Sequence, residues 1–176
     1  MGLNDILLHI DSYPEPTSTE AIDQAVAFAA AVGGQLTALA LQIKIPVRSN
    51  RLADYLIHLS ELAEGEEAKS LGQCRAALEH FTARARDAGV FRGALLEQAD
   101  LNLMSDAVAE RARTRDLCLI PIGGSLDGQQ DVAQTVIFGS GRPVLLFDHQ
   151  ARKLPAKPPG VVVLAWDGSR CAARAM

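Results

Sequence analysis

The sequence predicts an α/β fold: an open, mostly parallel sheet with helices on both faces. Two observations carry that prediction. Short, nearly continuous apolar runs, Ile6–Ile10 and Leu117–Ile122 above all, lack the in-out alternation of a half-exposed strand, which marks strands covered on both sides. Between them lie segments of helical periodicity, and strand-helix-strand succession demands right-handed crossovers and so parallel neighbours. The 176 residues, 48% apolar and 22% charged, are ordinary globular values that suit one domain with a short appendage.

The first run is Ile6-Leu7-Leu8-His9-Ile10, closed by Asp11 and a proline-rich loop with Pro14 and Pro16. Ser18 or Thr19 caps a helix whose apolar side is Ala21, Ile22, Ala25, Val26, Ala29 and Ala30, and Gly33-Gly34 stops it. Leu36 to Ile43 is the second strand. Residues 50–88 are helical, with one stripe of Leu52, Tyr55, Leu56 and Leu59 and another of Leu71, Leu78 and Phe81; Gly65 and Gly72 predict a bend or break between them. The first stripe packs on its own sheet or forms an oligomer surface. Phe91 to Gln98 is the third strand, Asn102 to Arg113 a helix, and Leu117 to Ile122 the fourth strand with Gly123-Gly124 as its exit. A short helix over 127–138 leads through a C-cap turn, Gly139-Ser140-Gly141, to a fifth strand, Pro143 to Phe147.

The net charge of −4 argues against a general grip on nucleic acid or anionic lipid. Cys74, Cys118 and Cys171 are sparse and lack Cys-x-x-Cys spacing, so a reducing cytoplasm is the expected compartment. The greasiest stretch, 25–43, is interrupted by Gly33-Gly34-Gln35 and reads as helix, turn and strand instead of a membrane span. His58 and His80 have no partner at metal-ligand spacing, and no nucleophile triad assembles, so neither a metal nor a catalytic residue is expected. His9 reads as a neutral core histidine. Glu61, Glu64, Glu66 and Glu67 read as a solvated helix face, and Arg111, Arg113 and Arg115 as charges favouring a helix C-terminus.

After Phe147 the composition shifts. Residues 148–160 carry Pro155, Pro158 and Pro159 and read as a linker. The chain then begins again: Val162-Val163-Leu164-Ala165-Trp166-Asp167 aligns with Ile6-Leu7-Leu8-His9-Ile10-Asp11, and Ala175-Met176 with Ala25-Val26. The expected organisation is a domain over 1–147, a linker, and the opening of an incomplete second repeat over 161–176. A lone strand cannot bury its apolar faces, so this one must join a sheet edge, of its own subunit or a neighbour's.

The five-strand order, Asp11 at the end of the first strand, Arg142-Pro143-Val144-Leu145-Leu146, and Trp166-Asp167-Gly168-Ser169 in the second repeat together resemble the universal stress protein family. The resemblance implies strand order 3-2-1-4-5, a Rossmann-like sheet of the adenine nucleotide alpha hydrolase type. Its crevice opens where strands 1 and 4 part. It also implies a cytoplasmic stress-response protein that pairs through its last strand, Pro143, Val144, Leu145, Leu146 and Phe147. The family's nucleotide binders use the aspartate after strand 1 and a loop of pattern Gly-x-x-Gly-(nine residues)-Gly-Ser/Thr after strand 4, whose backbone N–H groups cradle phosphate.

Asp11 and Gly123 match that pattern, and the rest does not. Counted back from Pro143, the Gly-Ser pair falls on Gln130 and Asp131, and Gly123 to Gln130 is seven positions where the pattern needs thirteen. A frame through Gly124, Gly128 and Gly139-Ser140 fits no better. Asp127 and Asp131 would oppose phosphate by roughly 1–4 kcal/mol per charge pair at about 4 Å. The candidate crevice residues are therefore Asp11, Ser12, Leu41, Gly123, Gly124, Ser125, Asp127 and Asp131, with Asp167, Gly168 and Ser169 as the second-repeat motif. Asp11 reads equally as a ligand contact or a cap, and Gly123-Gly124-Ser125 as a tight turn before an anion cradle. The expected function is a non-enzymatic module of the stress response that does not bind ATP and acts through protein contacts, as a homodimer or with a tandem partner. The alternative is a small-molecule or nucleotide sensor using the crevice, with ATP disfavoured and weak ATPase activity the least favoured role.

Overall fold

In the computed structural model, residues 3–46, 53–123, 126–148 and 150 are described, with side chains omitted at 53–58 and 126–129. The strands are β1 (Asp5–Ile10), β2 (Gln35–Lys44), β3 (Phe91–Asp100), β4 (Leu117–Ile122) and β5 (Val144–Asp148). The helices are α1 (Thr19–Val32), α2 (Ala53–Asp87), α3 (Met104–Ala112) and α4 (Leu126–Gly139), with a 3₁₀ turn at Leu101–Leu103 before α3. All strand pairs are parallel and the order is β3-β2-β1-β4-β5, as the resemblance implied.

The two-sided burial that made the strands legible is visible residue by residue. Ile6, Leu8 and Ile10 of β1, with Leu36, Ala38 and Ala40 of β2, face one core with α1 and α2. Leu7, Leu39, Leu41, Ile43, Cys118 and Ile120 face the other, under α3 and α4. Ile6, Leu7, Leu8 and Ile10 are all fully buried, each contributing about 1.5–3 kcal/mol by leaving water.

Ser18 is the N-cap of α1, accepting from the Ala21 N–H at 3.2 Å. The helix ends in a left-handed Gly33 (φ +72°), and Gly34 N–H bonds Ala29 O at 2.9 Å. Gly34 is needed for a different reason: a Cβ there would lie 2.5 Å from the Leu3 carbonyl oxygen. At the end of α4, the predicted C-cap turn has Ser140 N–H on Val136 O at 3.0 Å and a left-handed Gly141.

The break predicted near Gly65 and Gly72 is absent: α2 runs unbroken for 35 residues. Each glycine costs about 1 kcal/mol in a helix interior. The docked stripe of Ser70, Cys74, Ala77, Leu78, Phe81 and Ala85 holds the helix through both. Those later turns also do the work of a missing strand. β1 pairs with β2 only as far as Ala40. Beyond it, Ser12 Oγ donates to Leu41 O at 2.8 Å, Ile43 N–H donates to Ser70 Oγ at 3.0 Å, and Ile45 N–H donates to Glu67 Oε1 at 2.7 Å. Glu67 thus differs from the solvated role expected of it: its carboxylate satisfies a backbone donor.

The arginines also bind more specifically than a helix macrodipole requires. Arg111 pairs with Glu97 at 2.9 Å, and Arg113 donates to the Gly139 carbonyl at 3.2 Å. Arg115 pairs with Asp5 at 2.8 Å. Asp116 Oδ2 accepts the N–H groups of Asn4 and Asp5, fixing the start of β1 beside β4. Of the expected linker, Asp148 ends β5 and Gln150 is described, while 149 and 151–160, Cys171 and the second-repeat residues Asp167, Gly168 and Ser169 lie outside the described residues.

Candidate functional site

In an open α/β sheet the chain leaves adjacent strands in opposite directions where the order reverses, which opens a crevice at their carboxyl ends. Here β1 and β4 are those strands. A cavity of about 350 Å³ lies at that end. The loop after β1 supplies Asp11, Tyr13, Pro14 and Glu15 to its wall. Leu101, Met104 and Ser105 come from the 3₁₀ turn and the start of α3, and Gly123, Asp131 and Val132 from the end of β4 and from α4. The Tyr13–Pro14 peptide within the first loop is cis.

Strand alternation sets Asp11 at the floor. His9 shares the α3/α4 face with Leu7 and is fully buried. Its Nε2 lies 2.8 Å from Asp11 Oδ1. A carboxylate only accepts, so Nε2 carries the hydrogen. His9 Nδ1 is buried with no hydrogen-bond partner among the described residues. The loop is held by Thr17, whose Oγ1 accepts the Asp11 N–H at 2.8 Å while its own N–H bonds Asp11 O at 2.9 Å. Asp11 is therefore no helix cap; Ser18 has that role. Asp11 is 7% exposed, and no lysine or arginine among the described residues lines the cavity.

The structure gathers Asp11, Gly123 and Asp131 on the wall, and separates Ser12 and Leu41 from it. Ser12 is 1% exposed, and its hydroxyl sits between Leu41 O and Ser70 Oγ, the latter at 2.7 Å. The Leu41 side chain is buried in the core under α3 and α4. Both are structural because β2 outruns β1, a mismatch that sequence periodicity does not report. Gly124 and Ser125 lie outside the described residues, as does the side chain of Asp127. Sequence reasoning missed Tyr13, Pro14 and Glu15, although a loop leaving the carboxyl end of β1 must border the crevice. Leu101, Met104, Ser105 and Val132 carry no such signal, because only tertiary packing brings them there.

The β4–α4 connection is three residues, since β4 ends at Ile122 and α4 begins at Leu126. Among the described residues no cluster of His, Cys, Asp and Glu could hold a metal ion, and no helix is long and apolar enough to cross a membrane. Burial pushes the Cys118 thiol up to about 12 and raises that of Cys74, so neither is an activated nucleophile.

No protein-family model matches the sequence, and no curated protein is a significant match. Solved structures do match. A universal stress protein from Lactobacillus plantarum superposes with a TM-score of 0.52 at 18% identity, over 83% of this chain and 98% of the other. A hypothetical protein solved as a structural-genomics test of assigning biochemical function gives 0.56 at 15% identity, over 83% of this chain and 96% of its own. At these identities the likeness is one of fold: the chain is built on the architecture of the universal stress proteins.

Proposed function

We propose that the chain is a universal stress protein module that works through contacts with other proteins, is not an enzyme, and does not bind ATP in the manner of the family's nucleotide binders. The observation that carries this reading is the connection after β4. Three residues separate strand from helix, where a phosphate cradle of the family pattern needs a loop spanning thirteen positions. Asp131 stands where that pattern needs a small hydroxyl, and no lysine or arginine among the described residues lines the crevice. Each carboxylate near a phosphate oxygen opposes binding by roughly 1–4 kcal/mol. The contact surface is the outer edge of β5, last in the sheet, where Leu146 is 37% exposed.

A second reading rests on the cavity itself. Its volume suits a small ligand, and the buried carboxylate of Asp11, beside Glu15 and Asp131 on the same wall, favours an organic cation or an uncharged donor. Calorimetric titration tests both. With ATP and Mg²⁺ no saturable binding is expected, and micromolar affinity overturns the first reading. Phenethylammonium binding that is abolished in Asp11→Asn establishes the second, and its failure to bind removes it.

A further inference from the structure

We propose that the crevice at the carboxyl ends of β1 and β4 takes a linear aliphatic polyamine, with one ammonium group seated on Asp11 and a second held at the rim by Glu15 and Asp131. The proposal rests on the second reading above, in which the cavity holds an organic cation, and names the class of that cation. Three observations carry it. The first is how the carboxylates are distributed. Asp11 lies at the floor, its side chain 9% exposed, while Glu15 and Asp131 stand exposed on the wall. Asp11 Oδ1 meets His9 Nε2, and Oδ2 has no hydrogen-bond partner among the described residues. A buried carboxylate with an open oxygen on a cavity wall calls for an N–H donor from the ligand. A quaternary ammonium has none to give, whereas a primary ammonium brings three.

The second observation is the rest of the wall. Tyr13, Pro14, Leu101, Met104 and Val132 line the same cavity as the three carboxylates. An aliphatic chain with charged ends matches that mixture, because its methylenes leave water against the apolar side chains while its ends stay beside acid. The cavity of about 350 Å³ has room for roughly ten non-hydrogen atoms at about 30 Å³ each, the size of spermidine and more than a lone ammonium ion fills. The third observation separates a polyamine from a divalent metal. Among the described residues no group of three or more His, Cys, Asp or Glu side chains could hold a metal ion. One compact cation needs its oxygen ligands gathered around it, whereas a polyamine meets spaced carboxylates with spaced charges.

Calorimetric titration of the full chain at neutral pH and low ionic strength, with butylammonium, 1,4-diaminobutane and spermidine, tests this; the amines are charged there. Affinity should rise by about two- to fivefold with each added ammonium, the worth of a partly exposed ion pair. Asp11→Asn should weaken all three amines by about tenfold or more. The double variant Glu15→Gln/Asp131→Asn, altered only at exposed positions, should bind butylammonium as before and lose the advantage of the longer amines; it carries the test if Asp11→Asn fails to fold. Equal affinity for butylammonium and 1,4-diaminobutane overturns the proposal and leaves the single-cation reading standing. No binding by any of the three overturns it as well, and phenethylammonium then decides whether the single-cation reading survives. Polyamine binding that persists in folded Asp11→Asn is counterion binding elsewhere on the acidic surface and overturns it. Competition by Mg²⁺ at micromolar concentration overturns it in favour of a metal site.

Discussion

Replacing Ser70 by alanine probes the side-chain ladder that completes β2. The proton order in that ladder is forced. Leu41 O can only accept, so the Ser12 hydroxyl donates to it, and Ser70 must then donate to Ser12 while accepting from Ile43 N–H. Both serines are 1% exposed, so water cannot substitute. Ser70→Ala leaves the Ile43 N–H buried without a partner, which costs about 1–3 kcal/mol, and strips Ser12 of a donor while its bond to Leu41 survives. The sum is about 2–3 kcal/mol. For a chain of this length that lowers Tm by about 5–10 °C. Denaturant unfolding of wild type, Ser70→Ala, Ser12→Ala and the double variant measures it, with m constant. The double variant should cost less than the two singles combined, by about 0.5 kcal/mol or more, because one bond is shared. A Ser70→Ala variant within about 0.5 kcal/mol of wild type, or strict additivity with Ser12→Ala, would refute the reasoning.

Two further outcomes follow from burial. Gly34→Ala should lose roughly 1–3 kcal/mol, because its Cβ would meet the Leu3 carbonyl oxygen at 2.5 Å and Ile6 Cδ1 at 2.6 Å; Gly65→Ala, with open space around it, should gain about 1 kcal/mol, and denaturant midpoints compare the two. Cys118 keeps its proton up to about pH 12 when folded, whereas the unfolded thiol ionises from about 9.0, so its contribution is constant below pH 9 and is lost as pH rises toward 12. Its slope approaches about 1.4 kcal/mol per pH unit, and Cys118→Ala should flatten the measured pH dependence by that amount.

Much of the fold was legible because β1, β2 and β4 are buried on both faces. Leu117-Cys118-Leu119-Ile120 shows no alternation, and the helices between such runs leave little choice of topology. The order 3-2-1-4-5 came with the resemblance, since local periodicity carries no information about which strands are neighbours. Where the reading departed from the structure, a tertiary contact had outweighed a local preference: the docked stripe of α2 carries Gly65 and Gly72, and Glu67 reaches Ile45 N–H instead of solvent. The crevice was legible only in part. Asp11 and Gly123 sit at strand ends, where chain direction alone places them. Ser12 follows Asp11 immediately, yet the overhang of β2 past β1 draws it to the opposite side. Nothing in the spacing of Ser12 and Ser70, 58 residues apart, announces that bond.

The shortened connection after β4 and the pairing of His9 with Asp11 constrain a ligand in the same direction. In the nucleotide-binding pattern that the resemblance describes, the connection after β4 would bring backbone N–H groups to phosphate and the aspartate at the end of β1 would itself be a ligand contact. Here Asp11 Oδ1 lies 2.8 Å from His9 Nε2, a contact that orients the carboxylate. Glu15 and Asp131 stand on the same wall. Removing one carboxylate would therefore not create a phosphate site, because the loop that should hold the phosphate would still be missing. Restoring the loop alone would leave the Asp131 carboxylate beside it. Under the proposed reading, affinity for a nucleotide is expected only when both changes are made together, and a single change that gives micromolar binding would refute it.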